Sequence, residues 1–350
     1  MNFFLLSLIK TAVVLFALLT TLAYLQWIER KVLAHIQLRP GPYRVGPHGL
    51  LQPVADVLKL LTKEGVMPPG ANSFFYLLAP FLAVAVSLVS IVVIPFGPRV
   101  EIFGVQTNLG LTDLNIGVLF ILAISSLGVY GVALGGWASN SKYSLLGCLR
   151  SSAQMISYQL PLALALAAPL LLVNTLDFRQ IVEAQGGFWL GFFPKWNVFA
   201  GPFPQLFSFV IFLIASFAET NRVPFDLPEA ENELVAGFHT EYSSMKFASF
   251  FMAEYANMIM VGCVATLLFL GGWTSPFGNL IDPPQNIIAH ALFPIFWFVL
   301  KVFCFLFLYV WVRGTLPRFR YDQLMSFGWK YLMPLAMLNI VATSLWLAYH

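Results

Sequence analysis

The run FASFFMAEYANMIMVGCVATLLFL, residues 247–270, holds a single charged side chain, Glu254. A helix that crosses a bilayer needs about 20 mostly apolar residues, and this run supplies them without interruption. Glu254 falls about two turns inside it. A carboxylate at that depth is costly to place in hydrocarbon and by default serves a function. Runs of the same kind extend outward from this one: Phe3 to Trp27, Phe74 to Phe96, Ile116 to Leu134, Ser151 to Leu176, Phe203 to Ala218, Ile287 to Val312 and Tyr331 to Leu347. The weakest, Phe203 to Ala218, is short and is opened by Pro202 and Pro204. Prolines within the runs (Pro80, Pro161, Pro169, Pro294, Pro334) are tolerable in a membrane, where neighbouring helices satisfy the freed backbone groups. The expectation is an all-α, polytopic membrane protein of about eight transmembrane helices, a single transmembrane domain over residues 1–350.

Composition agrees. Hydrophobic residues make up 59% of the chain and charged residues only 10%, with a mean hydropathy of +0.79. A soluble domain is about 25% charged, so a water-facing globule of this length would lack polar surface. The net charge of +3 says little about partners. Cys148, Cys263 and Cys304 lie far apart and form no Cys-x-x-Cys pair, which argues against iron–sulfur or structural zinc sites in this chain. No Gly-x-Gly-x-x-Gly follows a strand pattern, so no dinucleotide site is evident. The first apolar run is too long for a signal-peptide core and reads as a retained span.

Orientation follows from the basic residues. Arg30, Lys31, Arg39, Arg44, Lys59, Lys63, Lys142, Arg150, Arg222, Lys246, Arg313, Arg318, Arg320 and Lys330 fall in loops on one side; the opposite loops hold only Arg99, Arg179 and Lys195. The positive-inside rule makes the first side cytoplasmic. Its loops are about 28–73, 135–150, 219–246 and 313–330, and both termini are expected on the far side. In the first of these loops, Leu50, Leu51, Val54, Val57, Leu58 and Leu61 recur at helical spacing, with Gln52, Asp56, Lys59 and Lys63 on the other face. Such a helix should lie flat at the membrane surface. It serves either as a plain interfacial anchor or as a seat for a partner.

Three cytoplasmic segments concentrate charge. Glu29-Arg30-Lys31 ends the first span and leads into a Gly/Pro-rich stretch through Arg39, Pro40, Gly41, Pro42, Gly46 and Pro47. Charges there can be simple anchors, but the stretch builds irregular backbone at membrane depth, which is tolerated only inside protein or beside a cavity. The second segment runs Glu219, Arg222, Asp226, Glu229, Glu231, Glu233, then Glu241-Tyr242. Structurally, Asp226 could N-cap a short helix, with Pro228 in its first turn, Glu229 closing a capping box and Gly237 ending it. That leaves Glu233 one turn beyond Glu229, where like charges repel. Confined carboxylates titrate as a coupled set and share protons, which suits a proton relay or charge-sensitive switch. The third segment, Arg313 to Gln323, groups Arg313, Arg318 and Arg320 around Pro317. They read as anchors or as partners for the carboxylates, with Asp322 a local partner for Arg318. Within the spans only Glu254 and Lys301 lie deep; Lys301 either snorkels or functions.

Together these stretches resemble the quinone-site membrane subunit family of respiratory complex I. That family takes in the H subunit of the bacterial NADH:quinone oxidoreductase and its mitochondrial counterpart, subunit 1. The likeness is carried by Glu29-Arg-Lys-Val-Leu-Ala34 through Asp56, Tyr143-Ser-Leu-Leu-Gly147 through Ser157-Tyr158, Glu219 through Tyr242, Ala253-Glu-Tyr255, and Pro317-Arg-Phe-Arg-Tyr-Asp-Gln-Leu324. The resemblance implies a non-redox subunit of a proton-translocating oxidoreductase, wedged between the peripheral redox arm and the membrane arm. It implies quinone (ubiquinone or menaquinone) as substrate, with FMN and iron–sulfur clusters in partner subunits only, and no metal here. It further implies peripheral-arm and small membrane subunits as partners, in a bacterial inner (cytoplasmic) membrane, with both termini periplasmic. By position it makes Arg30, Arg39, Arg222 and Asp226 chamber residues, and Glu219, Glu229, Glu231, Glu233 and Glu254 relay residues; Lys301 joins the relay candidates by its depth. One departure stands out: where the family usually places a glutamate after Ser157-Tyr158, this chain has Gln159. Competing readings are a membrane anchor subunit of an energy-converting hydrogenase, a free-standing secondary transporter and a purely structural scaffold. No internal repeat of the charged motifs supports the transporter.

Overall fold

A computed structural model describes residues 3–102, 105–189, 193–200, 204–227, 236–277 and 287–349. The helices are α1 (Phe3–Ile36), α2 (Gln52–Thr62), α3 (Ser73–Ile91), α4 (Gly117–Ala138), α5 (Lys142–Val173), α6 (Phe178–Ala184), α7 (Pro204–Glu219), α8 (Ser244–Phe269), α9 (Ile287–Thr315) and α10 (Tyr321–Phe327). A wider π turn, Gly328–Leu332, joins α10 to α11 (Met333–Tyr349). Among the described residues, seven helical stretches are long and apolar enough to cross a bilayer, α10 to α11 counting as one; α7 is apolar but shorter. This is the expected all-α membrane architecture, with the short span where the two prolines foreshadowed it.

The helices run past the apolar runs that announced them. The first continues from Trp27 to Ile36, so Glu29, Arg30 and Lys31 are helical. The fourth begins at Lys142 rather than Ser151. Polar residues at a membrane interface leave the hydropathy window without leaving the helix. Asn72 caps α3, its side chain accepting from Phe75 N, and Asn174 closes α5 in the left-handed conformation. At the α4–α5 crossing, a Cβ on Gly136 would fall 2.3 Å from Cys148 Cβ. A bare glycine there lets the two backbones approach closely.

The central helix is α8, 78% of whose spanning window is buried, whereas α1 is peripheral at 11%. On one side of the bundle, Ser244 Oγ donates to Leu60 O and Lys63 O, Tyr76 Oη donates to Glu241 O, and Phe319 N donates to Pro224 O. These bonds gather the loops expected to be cytoplasmic. The other side carries two small antiparallel hairpins that the sequence pattern did not announce, β1 (Arg99–Ile102) with β2 (Val105–Asn108), and β3 (Phe188–Trp189) with β4 (Phe193–Pro194). Gln205, at the start of α7, reaches Thr343, near the end of α11, which puts the end of α11 on that second side.

Candidate functional site

The chain leaves α7 through Thr220 and Asn221, the latter at φ 52°, and delivers Arg222 into the interior, where it is 5% exposed. Arg222 Nη1 donates to Glu29 Oε1 at 2.9 Å, and the same guanidinium ion-pairs with Glu254 and lies 4.4 Å from the centre of the Tyr255 ring. Arg313, at the end of α9, is a second cation on Glu29. Two arginines thus balance two carboxylates where α1, α8, α9 and the post-α7 loop meet. Burial alone lowers the pKa of Arg222; Glu254 and Glu29 outweigh that and move it well upward, so the guanidinium is a fixed charge.

Beside this network the post-α7 loop is clamped. Asp226 is buried and its Oδ2 accepts from Arg318 Nη2 at 3.0 Å. Phe225 stacks on Phe319 at 5.5 Å, and Gln154 Nε2 donates to Ala218 O and Phe225 O. Of the two roles read for the arginines after α9, carboxylate pairing is the one seen for Arg313 and Arg318. The expected Arg318–Asp322 pair is not formed; Asp322 pairs with Arg320 at 2.8 Å. The helix starts only at Tyr321, so Arg318 lies outside it and helical spacing does not apply.

A cavity opens beside the network, with Glu254 in its wall. Its polar lining is Glu219, Thr220, Asn221, His239, Glu254 and Asn257, set among Met155, Val132, Phe250 and Phe251. Glu219 accepts from Ser125, and Ser125 Oγ is in turn 3.4 Å from Gln159 Nε2. Gln159 also donates to Ser126 Oγ at 2.5 Å and Leu122 O at 3.3 Å. His239 is ringed by Phe238, Phe247 and Phe251. Burial pushes its pKa down to about 4, with Asp226 pulling the other way, so the imidazole is neutral at pH 7.

The structure therefore brings together Glu219, Arg222, Asp226 and Glu254 from among the residues expected on sequence grounds. Glu229, Glu231 and Glu233 lie outside the described residues. Asp226 serves the salt bridge, and the capping box expected through Glu229 also falls outside them. Arg30 is turned to the surface helix, its Nη1 2.6 Å from Asp56 Oδ2, and Arg39 is exposed. The polar face of α2 is thus partly used within this chain. Lys31 does more than anchor, since its Nζ donates to Pro42 O at 2.9 Å and holds the Gly/Pro stretch against α1. Lys301 stands apart, donating to Leu270 O, Gly272 O and Thr274 O at 2.6–2.9 Å and lying 4.4 Å from the Trp196 ring. It ties off the far end of α8. Glu29 and His239 were not singled out from sequence. Glu29 was hidden by its basic neighbours, although an acid one residue before two cations at a span end already hinted at a partner elsewhere.

Residues 9–344 match the family model described as NADH dehydrogenase. The chain is 58% identical to the H 1 subunit of the NADH-quinone oxidoreductase of Solibacter usitatus, over 99% of this chain and 98% of that protein. It is 56% identical to the H 2 subunit of Koribacter versatilis over the same shares, and 51% identical to the H 1 subunit of Geobacter metallireducens over 95% of this chain and 94% of that one. The chain belongs to the H-subunit family of the NADH-quinone oxidoreductases. The part matched by the family model encloses every residue of the network and the cavity, so the site lies within the body that the H subunits share and not in an added tail.

Proposed function

We propose that this chain is the membrane subunit of a bacterial NADH:quinone oxidoreductase that walls the quinone chamber and links quinone reduction to proton movement. The observation that carries this reading is that one buried arginine, Arg222, joins the charged loop face to Glu254, which lines the inner cavity. Quinone takes up two electrons and two protons on becoming quinol. The negative charge that develops on its head must be met by cations and then by protons. Arg222, Arg313 and Arg318 supply fixed positive charge on the loop face. Asp226, Glu254 and Glu219 supply titratable oxygens leading from that face into the cavity, and neutral His239 can both accept and donate. Arg30 and Arg39 would meet the head or a partner at the outer rim, and Glu229, Glu231 and Glu233 would extend the relay. Lys301 enters as the residue that holds the far end of α8.

The sequence holds no Cys-x-x-Cys pair, and no Gly-x-Gly-x-x-Gly stretch follows a strand pattern in it, so this reading gives the electrons no carrier here. FMN and iron–sulfur clusters therefore belong to partner subunits of the peripheral arm, and small membrane subunits flank the exposed helices. The loop face is cytoplasmic and both termini are periplasmic in the inner membrane, as the basic loops support. The H-subunit relatives give no support to the hydrogenase-anchor or transporter readings. Gentle extraction of the tagged chain tests the proposal. Flavin and iron–sulfur absorbance with quinone-dependent NADH oxidation should co-purify; co-purification with a nickel–iron protein, or isolation of a lone transport-competent chain, would overturn it.

A further inference from the structure

At the end of the molecule remote from the network, three cations converge on one carboxylate. Arg179 Nη2 lies 2.8 Å from Asp113 Oδ1, and Arg99 Nη2 lies 3.7 Å from Oδ2. Lys10 Nζ donates to the adjacent Asn108 O at 2.9 Å and feels the charge of Asp113. Asn108 Nδ2 also bonds to Asp113. Arginine and lysine are scarce on this side, and of Lys10, Arg99, Arg179 and Lys195 three take part in the cluster, while Lys301 reaches the same side from within its span and is tied to the end of α8. Arg179 is 5% exposed, and its Nε and Nη1 are buried with no hydrogen-bond partner among the described residues. Idle donors on a buried cation cost free energy unless an anion or water meets them. Arg99, at 67% side-chain exposure, and half-buried Lys10 form the open edge.

Around Lys10, α1 exposes Leu8 and Ile9, and one and two turns deeper in the bilayer it exposes Val13 and Phe16, Phe16 being 75% exposed. A surplus of positive charge at the interface above an uncovered apolar wall matches a molecule with an anionic head and hydrocarbon tails. We propose that Lys10 and Arg99, backed by the buried positive charge of Arg179, bind the headgroup phosphate of an anionic phospholipid in the leaflet opposite the charged loops, with its acyl chains along α1. Three cations against one carboxylate select a net negative lipid over a zwitterionic one. The lipid would splint α1, otherwise little buried, to the β1–β2 hairpin. This inference rests on the membrane architecture and not on the quinone reading.

The test uses the intact assembly in phosphatidylcholine vesicles doped with a trace of diazirine-tailed phosphatidylglycerol or, separately, the matching phosphatidylcholine probe. Crosslinks are mapped by mass spectrometry. The anionic probe should label residues 8–16 several-fold more than the neutral one. A cation near an anionic headgroup is worth about five-fold in binding, so Arg99→Gln should lower anionic labelling by about that factor. Arg99→Lys and Lys195→Gln should preserve it, and millimolar inorganic phosphate should not compete. Retained quinone-dependent NADH oxidation in Arg99→Gln verifies that the assembly is intact. Four results would each overturn the proposal: equal labelling by both probes, no change in Arg99→Gln, displacement by inorganic phosphate (a free-anion site), or crosslinking of α1 to another protein chain in place of lipid.

Discussion

Arg222→Met keeps much of the side-chain volume and removes the charge, leaving Glu254 without this cation and Glu29 with Arg313 alone. Breaking a buried ion pair from one side costs about 3–5 kcal/mol. Arg222 and Glu29 are nearly sealed from water, but the Glu254 side chain keeps 20% of its surface exposed. Partial solvation places the expected loss at the low end, about 3 kcal/mol. Proton uptake offers no cheaper escape, since neutralising an ordinary carboxylate at pH 7 costs about 4 kcal/mol. A loss of about 3 kcal/mol is about a hundredfold in an equilibrium. The assay is a double-mutant cycle of Arg222→Met and Glu254→Gln, read as the thermal inactivation midpoint and yield of the assembled complex. The first variant should fall sharply, and the double variant should recover much of the loss because neither charge is then orphaned. Quinone reduction should stay impaired in both. Wild-type assembly and turnover in Arg222→Met, or strictly additive effects in the cycle, would be incompatible with this pairing.

Other contacts yield three more expected outcomes. His239 is held at about 4 in the folded chain against 6.5 when exposed. Between those values the unfolded chain binds a proton that the folded chain does not, so stability falls as pH drops from 6.5 towards 4, by up to about 3 kcal/mol. His239→Asn should flatten that acid limb of the inactivation midpoint, and an unchanged slope would point to another group. Lys301→Met strands three carbonyls and should lower the thermal midpoint, each orphan costing about 1–3 kcal/mol. The KM for quinone and the proton-to-electron ratio should stay unchanged in the surviving complex, and a drop in that ratio would return Lys301 to the relay. Gln159→Glu should retain quinone reduction, because a carboxylic acid can still donate to Leu122 O and accept from Ser126. Loss of reduction would show that the position requires a neutral amide.

The spans were legible because bilayer thickness imposes a length and a hydropathy that any sequence must display, as residues 247–270 do. Glu254 was legible for the same reason: a carboxylate is conspicuous against hydrocarbon. Helix ends were less so. Glu29 to Ile36 and Lys142 to Arg150 are helical yet polar, and an interface permits both. Pairings were the least legible part, since Arg222 and Glu29 are 193 residues apart and Arg318 and Asp226 are 92 apart. Sequence nominated Asp322 for Arg318 by proximity; the extended approach to α10 instead turned Arg318 across to Asp226. The outer hairpins escaped notice because strands this short leave no usable alternation of polar and apolar residues. His239 escaped because a single histidine in an acidic loop looks like one more solvated polar residue until its aromatic enclosure is seen.

If quinone reacts against the loop face built around Arg222 and Asp226, covalent capture during turnover should find it there. The reagent is an azido-quinone of native ring structure, photolysed in the active assembly during NADH oxidation. Label is expected on this chain within the post-α7 loop near Arg222 to Leu227 or the facing Pro317–Arg320 segment, displaced by excess quinone. Labelling confined to the β1–β2 side, or sparing this chain entirely while NADH oxidation is inhibited, would contradict that placement.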